Sequence, residues 1–230
     1  RGLTVRAPTV IAGNTPLRPL PTNKAELERC LADPEWRVFS GCLYKIMTKG
    51  DGPEGGEAGE TFVMPFRPNR AQRRFVMRLW NRNLILKARQ LGFTTLIAIL
   101  WLDHALFNAD QRCGIIAHDR EAAEAIFRDK VKFAYNNLPD EIRERFPLAR
   151  DSAVELLFAH NNSSVRVATS MRSGTIHRLH VSEDGKICAK YPDKAAEVAT
   201  GAIPSVHTNG ILVIESASKG REGEFYDLSQ

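Results

Sequence analysis

Residues 84–95 read Leu-Ile-Leu-Lys-Ala-Arg-Gln-Leu-Gly-Phe-Thr-Thr and lead into an apolar stretch over 96–107. An apolar strand, a glycine-containing turn, a Thr-Thr pair and an apolar helix are the layout of a phosphate-binding loop (P-loop). At such a helix N-terminus, free N–H groups and the positive end of the helix dipole face phosphate oxygens. A hydroxyl in the first helical turn then ligates magnesium. The stretch therefore predicts a nucleotide site.

Two positions depart from the usual pattern G-x-x-x-x-G-K-[ST]. Gly92 and Thr94 occupy its second glycine and its Ser/Thr position. Phe93, however, stands where the lysine is expected, and Lys87 stands at the first glycine. A lysine at the front of the loop can fold back over the turn and bring its ammonium near the β- and γ-phosphates, with Arg89 as a second cation. The alternative is that both cations are solvated charges at a strand end.

Strands and helices alternate through the rest of the chain. We predict strands over 84–86, 113–117, 154–158, 164–168, 179–181 and 210–214, and helices over 71–80, 96–107, 120–137, 141–146 and 193–200. This alternation indicates an α/β fold with a mostly parallel sheet flanked by helices. We expect residues 61–230 to form this core. Residues 1–60 are expected to form an N-terminal subregion with an extended arm (1–22), two helices (23–31 and 36–47) and a glycine-rich loop (50–60).

Composition excludes some kinds of site and favours others. The 230 residues are 43% apolar, enough for one sizeable core, and the net charge of +5 with a pI near 9.1 weakly favours a polyanionic partner. No run of about 18 apolar residues exists, so neither a membrane span nor secretion is expected. The cysteines form no C-x-x-C pair, which argues against a disulfide framework or a zinc site: Cys30, Cys42, Cys113 and Cys188.

Taken in order, three segments resemble the ATPase (motor) domain of phage terminase large subunits, a P-loop NTPase of the ASCE type. Residues 87–95 look like that family's deviant Walker A loop, in which the lysine moves to the front and a basic residue precedes Gln-Leu-Gly. Residues 68–74, Pro-Asn-Arg-Ala-Gln-Arg-Arg, resemble its adenine-reading segment. Residues 176–183 resemble its Walker B strand, but end in Ser-Glu instead of Asp-Glu. The resemblance covers about residues 62–228.

The resemblance implies a role for each matching residue. Glu183 is the catalytic base, and Ser182 replaces the magnesium-associated aspartate without supplying its charge. Asp184 follows, but strand alternation directs it to the other face. Arg89 and Arg172 are the catalytic arginines, with Arg172 supplied across a subunit boundary. If the resemblance is disregarded, Glu183 and Asp184 merely begin a polar turn.

The remaining implied roles fall into three sets. The nucleotide contacts are Gln72, whose amide suits the donor and acceptor edges of adenine, and Lys87, Ala88, Gln90, Leu91, Gly92, Phe93, Thr94 and Thr95. The coupling motif, which would sense the γ-phosphate, is Glu215, Ser216, Ala217 and Ser218. The magnesium contacts, partly through water, are Thr94, Ser182 and Glu183.

The function implied is hydrolysis of ATP with Mg2+ to drive double-stranded viral DNA into a procapsid. The implied partners are DNA, the portal protein, the small terminase subunit and further copies in a ring of five, docked on the procapsid in the host cytoplasm. The DNA-facing residues stay open among Arg70, Arg73, Arg74 and the basic residues near Lys130 and Lys132. The family's nuclease domain follows the motor, and we expect no nuclease activity in this chain.

Two alternatives remain. A helicase-type or other P-loop translocase would normally keep its lysine before the Ser/Thr and carry Asp-Glu on the carboxylate strand. A decayed, non-hydrolysing P-loop binding module is favoured by Phe93 and Ser182 taken singly. The retention of Lys87, Thr94 and Glu183 argues against it.

Overall fold

The computed structural model describes residues 11–49, 61–87, 91–171 and 174–217, and it divides into two units, Arg1–Arg67 and Pro68–Gln230. Several sequence predictions lie outside the described residues. They are the first part of the arm (1–10), the glycine-rich loop (50–60) and the site residues Ala88, Arg89, Gln90, Arg172 and Ser218.

The first unit contains a three-stranded sheet and two helices. The strands are β1 (Ile11–Asn14), β2 (Lys45–Lys49) and β3 (Thr61–Pro65), in the order β1-β3-β2, and the helices are α1 (Lys24–Ala32) and α2 (Pro34–Phe39). The side chains of Asn23 and Asp33 accept backbone N–H bonds at the two helix starts, as good N-caps do. The predicted second helix over 36–47 is wrong in its second half. The observed helix α2 ends at Phe39. Gly41, in the left-handed conformation (φ +76°), turns the chain away from the helix, and β2 begins at Lys45.

The second unit contains the remaining helices and strands. Its strands are β4 (Arg82–Lys87), β5 (Arg112–Ile116), β6 (Leu148–Asp151), β7 (Glu155–Phe158), β8 (Ser164–Ala168), β9 (Ile176–Ser182) and β10 (Val206–Ala217). Its helices are α3 (Arg70–Val76), α4 (Phe93–Phe107), α5 (Arg120–Ile126), α6 (Phe133–Asn136), α7 (Asp140–Arg143), α8 (Asp184–Lys190) and α9 (Pro192–Glu197). A π-helical segment, Phe127–Lys132, joins α5 to α6, and another, Val198–Ala202, follows α9.

The strands of this unit form one seven-stranded sheet in the order β4-β10-β9-β5-β8-β7-β6. The first five are parallel, and β7 and β6 add an antiparallel end. This confirms the predicted α/β fold with a mostly parallel, helix-flanked sheet. β10 lies between the P-loop strand β4 and the carboxylate strand β9, so side chains from three strand ends meet at one edge of the sheet.

The core of the sheet explains why its strands were visible in the sequence. α4 is buried along most of its length, with Ile97, Trp101 and Leu102 fully enclosed. β9 and β10 contribute Leu179, Val181 and other apolar side chains to one cluster with residues of α8, α9 and the segment that follows α9. Strands covered on both faces carry long apolar runs, which is the pattern the sequence shows.

Some elements differ from the prediction. β6 was missed because it is the exposed outermost strand, with no apolar alternation in Leu-Ala-Arg-Asp. α8 was missed because Glu183 and Asp184 suggested a polar turn, whereas a helix begins there. α3 ends at Val76, before the predicted Trp80, with a turn following. Within the residues described, no helix combines the length and apolar character needed to cross a bilayer.

Candidate active site

The candidate site lies where the carboxyl ends of β4, β10 and β9 meet the N-terminus of α4. Lys87, the last residue of β4, is the register partner of Ala217 at the end of β10. Two residues earlier on β10, Glu215 is the register partner of Ser182, which ends β9. Three predicted site segments, distant in sequence, therefore lie side by side.

α4 begins with the geometry expected of a phosphate loop. Gly92 precedes it in the left-handed conformation (φ +69°), which glycine adopts without steric cost. A β-carbon at this position would lie 2.9 Å from Gln72 Nε2, so the turn and α3 leave no room for a side chain. Among the described residues, no side chain caps the first turn of α4. Its N–H groups can therefore bind an anionic ligand.

Gln72 lies on α3, directly behind this turn, and is 5% exposed. Its amide nitrogen donates to the carbonyls of Leu91 (3.2 Å) and Gly92 (2.9 Å). Its amide oxygen accepts from the Asn69 N–H at 2.9 Å, and the Asn69 side chain caps α3 in return. Gln72 thus braces the phosphate-loop turn, and its predicted contact with adenine stays a prediction.

Lys87 occupies the centre of the site. Its ammonium nitrogen lies 3.5 Å from Glu183 Oε1 and 3.5 Å from Glu215 Oε1, and its side chain is 7% exposed. The lysine thus points into the protein. The interpretation of Lys87 as a solvated charge at a strand end is wrong.

Glu183 follows Ser182 at the rim of the site. It has a left-handed backbone (φ +58°, ψ +45°), which is uncommon for a residue other than glycine, and α8 begins directly after it. Such strained residues concentrate at functional sites. Its side chain is 36% exposed, so its carboxylate is accessible to water while remaining beside Lys87.

Glu215 is fully buried beneath Glu183 and Lys87. Its Oε1 accepts hydrogen bonds from the hydroxyls of Thr94 (2.5 Å) and Ser182 (3.2 Å), and His180 Nε2 lies 3.5 Å from the same atom. Burial by itself would raise the pKa of Glu215. The neighbouring His180, Lys87 and Thr94 outweigh that effect and lower the pKa to about 2.

A second, half-buried lysine, which the sequence did not assign to the site, lies beside Thr95. Lys130 comes from the π-helical segment Phe127–Lys132, and its ammonium donates to Thr95 Oγ1 at 3.0 Å. Burial lowers the pKa of Lys130, while Asp129 and Glu215 raise it less. His180 of β9 is also buried in the site, next to Glu215.

The coupling strand contacts the helix that follows Glu183. The Ser216 hydroxyl accepts from the Gly185 N–H at 3.1 Å and donates to the Ala217 carbonyl at 3.0 Å. Glu215 and Ser216 thus serve opposite faces of β10, one towards the phosphate loop and the other towards α8.

The donor set fits a magnesium ion held together with a nucleotide. Magnesium takes one or two protein oxygens and completes its shell with water and substrate phosphates. Thr94, Ser182 and Glu215 bring two hydroxyls and a carboxylate together. Within the described ranges, no group of three His, Cys, Asp or Glu forms a self-contained metal site.

No protein-family model matches the sequence, and no curated protein matches it. Among solved structures, the HK97 bacteriophage large terminase matches with a TM-score of 0.52 and 21% identity over 66% of this chain and 34% of that chain. S. cerevisiae Dbp5 bound to Nup159, Gle1, IP6 and ADP matches with a TM-score of 0.45 and 18% identity, over 67% of this chain and 43% of that one. A second Dbp5 structure, bound to Gle1 and IP6, gives 0.44 and 19% over 67% and 42%.

The Dbp5 structures are too distant to bear on fold or function. The match to the HK97 large terminase is a likeness of fold, and it spans about a third of that protein's length. At the level of the fold, this chain resembles a phage large terminase, as the order of its phosphate loop, carboxylate strand and coupling strand predicts.

Proposed function

We propose that the second unit binds and hydrolyses ATP with Mg2+, as the motor of a DNA-packaging machine. The observation that carries this proposal is the position of Lys87. A buried ammonium lies between two carboxylates, beside the uncapped N-terminus of a 15-residue helix whose first turn carries Thr94 and Thr95. Cations, hydroxyls and free N–H groups bind phosphates, and carboxylates are what hydrolysis requires in addition.

Each residue has a defined task in this proposal. Lys87 and Lys130 bind phosphate oxygens, and the first-turn N–H groups of α4 orient them. The Thr94 hydroxyl would hold the metal ion, which would neutralise charge on the phosphates. Glu183, at the accessible rim, orients and polarises the attacking water. Lys87, whose ammonium lies 3.5 Å from Glu183 Oε1, holds that carboxylate in place.

ATP turnover of three chains tests the proposal. We expect hydrolysis by the wild type, loss of hydrolysis and weaker binding in Lys87→Ala, and loss of hydrolysis with retained binding in Glu183→Gln. Lys190→Ala and Glu141→Gln are matched controls, because both side chains are exposed and neither is part of the site. Full activity of Lys87→Ala would exclude the phosphate role of Lys87. A wild type that binds ATP without turnover would favour the decayed binding module.

The motor part of the proposal concerns the partners. Hydrolysis drives double-stranded DNA into a procapsid, by a ring of five copies that docks on the portal protein and has the small terminase subunit as a further partner. Arg172 acts across the ring boundary on the neighbouring copy's ATP. Mixing Arg172→Ala with Glu183→Gln chains tests this, because a shared site would recover turnover at the mixed boundaries. Absence of recovery would leave Arg172 without a role in trans.

The contact with DNA is proposed at α3. Among the basic residues left open by the sequence, Lys130 is half-buried and donates to Thr95 Oγ1, and Lys132 pairs with Asp151 at 2.7 Å. The arginines of α3 and the turn after it are exposed instead, and with Met77 they line an open groove of about 470 Å³: Arg70, Arg73, Arg74 and Arg78. Such a surface suits a phosphate backbone read without regard to base sequence.

A further inference from the structure

The strand that should provide a magnesium-side carboxylate ends in a serine. Ser182 stands where the P-loop ATPases that this chain resembles carry an aspartate, and a hydroxyl has no charge to offer a divalent cation. The adjacent parallel strand supplies the missing group at the same level, because Glu215 of β10 is the register partner of Ser182. The carboxylate thus lies on β10, one strand away from the position of the missing aspartate on β9.

The contacts of Glu215 are those of a residue that holds the metal-binding hydroxyl. Its Oε1 accepts the Thr94 hydroxyl at 2.5 Å and the Ser182 hydroxyl at 3.2 Å, so one oxygen joins the phosphate loop to β9. A threonine that donates its proton to a carboxylate turns its oxygen lone pairs outward, where a cation can use them. Thr94 is therefore already oriented as a metal ligand.

The second oxygen of Glu215 has no such partner. The side chain is fully buried, and Oε2 has no hydrogen-bond partner among the described residues. Burying an ionised carboxylate with an unsatisfied oxygen is unfavourable unless a cation or a water molecule bound to it completes the site. Lys87 lies 3.5 Å from Oε1, the oxygen that already accepts the Thr94 and Ser182 hydroxyls.

We propose that Glu215 replaces the strand aspartate as the carboxylate on the magnesium side of the site. It orients Thr94 directly and binds the ion's water shell through Oε2. The inference rests on the proposed ATP site and assigns to Glu215 a role other than the coupling role that its motif implies. The next carboxylate in sequence, Asp184, lies in the first turn of α8, where its Oδ2 accepts from Cys188 Sγ at 3.7 Å.

Binding of a fluorescent ADP analogue, titrated with Mg2+ and with EDTA, tests the role of Glu215. In the wild type, we expect Mg2+ to tighten binding by about 10-fold or more, within the usual range for two coupled ligands. In Glu215→Gln, this gain should fall to about 2-fold or less, while affinity in EDTA stays within about 3-fold of wild type. The reciprocal measurement, Mn2+ binding with and without ADP, should show the same reduction, because coupling of two ligands is reciprocal.

A double variant that places the carboxylate on β9 tests whether the Mg2+ gain in affinity can be restored. Ser182→Asp combined with Glu215→Gln returns a carboxylate to β9 at the same register, and we expect it to restore most of the Mg2+ gain. Glu141→Gln is the matched control, because it makes the same change of side chain at an exposed position outside the site. It should keep the full gain.

The outcomes separate the possible failures. A full Mg2+ gain in Glu215→Gln overturns the inference while leaving the ATP site intact, and returns Glu215 to a coupling role. A wild type that binds no nucleotide overturns the proposed function itself. If Glu215→Gln does not fold, as judged by circular dichroism, Glu215→Asp takes its place, because it keeps the charge but shortens the reach to Thr94. An unchanged Mg2+ gain in that variant also overturns the inference.

Discussion

The Ser216 hydroxyl accepts a hydrogen bond from the Gly185 N–H at 3.1 Å, which joins the end of β10 to the first turn of α8. A β-carbon at position 185 would lie 2.6 Å from Ser216 Oγ. We therefore expect Gly185→Ala to lower the free energy of unfolding by about 1–2 kcal/mol, because the clash exceeds the helix propensity that alanine gains. ATP turnover should fall as well, since α8 begins next to Glu183.

Two variants check the cause of that effect. Gly201→Ala is the matched control, because a β-carbon there meets nothing within 4 Å, and it should be neutral or slightly stabilising. Ser216→Ala added to Gly185→Ala should recover stability by removing the clashing oxygen. Denaturant unfolding measures all three, and a stable Gly185→Ala protein would show that the two elements can separate without cost.

Lys130 is expected to strengthen ATP binding without raising the unfolding temperature of the nucleotide-free protein. Because burial lowers its pKa, its charged form is disfavoured in the folded protein. We expect Lys130→Met to unfold at the wild-type temperature or above it in the absence of nucleotide, yet to bind ATP about 10-fold or more weakly because a charge-assisted bond to phosphate is removed. Thermal unfolding and nucleotide titration measure the two effects separately.

Lys132→Met is the control for this pair of measurements. It removes the same side chain two positions along the same segment, where the ammonium pairs with Asp151 at 2.7 Å. We expect unchanged ATP binding. Equal effects of the two variants on ATP affinity would contradict a phosphate role for Lys130.

Gln72 should influence nucleotide binding through the loop. Its amide N–H groups already bond the Leu91 and Gly92 carbonyls, so Gln72→Ala leaves two loop carbonyls without these donors. We expect binding of ATP and GTP to weaken by the same factor. Parallel titrations with the two nucleotides measure this, and a weakening confined to ATP would instead support the contact with adenine predicted from the sequence.

The α3 arginines should set the salt dependence of DNA binding. We expect Arg70→Ala/Arg74→Ala to weaken binding of duplexes of unrelated sequence to a similar extent. The slope of log affinity against log salt should become shallower by about 0.9 for each DNA phosphate that the variant no longer neutralises. Arg120→Ala/Arg150→Ala removes two exposed arginines that pair with Glu124 and Glu155, and serves as the control. An unchanged slope in the α3 variant would move the DNA-binding surface elsewhere.

The sequence predicted the strands of the sheet and the positions of β4 and α4 because those features are local. An apolar strand, a glycine and two hydroxyls within residues 84–95 determine where α4 begins, and β4 and α4 were observed there with only small shifts of their ends. The strands that follow along the chain could also be predicted from the sequence, because parallel strands covered on both faces carry long apolar runs.

The contacts between side chains on different elements of the site could not be predicted from the sequence. Glu215 approaches Thr94 only because β10 inserts between β4 and β9 in one register, and nothing within residues 210–217 encodes that register. Lys130 enters the site because a π-helical segment interrupts the predicted helix over 120–137, and the sequence there has ordinary helical periodicity. The position of His180 in the site likewise depends on its neighbour across the sheet, Glu215, which the local sequence does not reveal.

The π-helical segment Phe127–Lys132 also limits which changes in chain length this protein can accommodate. A turn closed by i→i+5 bonds encloses one residue more than an α-helical turn. Deleting a single residue from it would restore a regular α-helix and keep the residues beyond the deletion in phase with α5, so the change would fall on the side chains inside the segment, Lys130 among them. Homologues that align through α5 and α6 without a gap are therefore expected to keep a lysine at position 130, whereas those one residue shorter must supply this cation from another element.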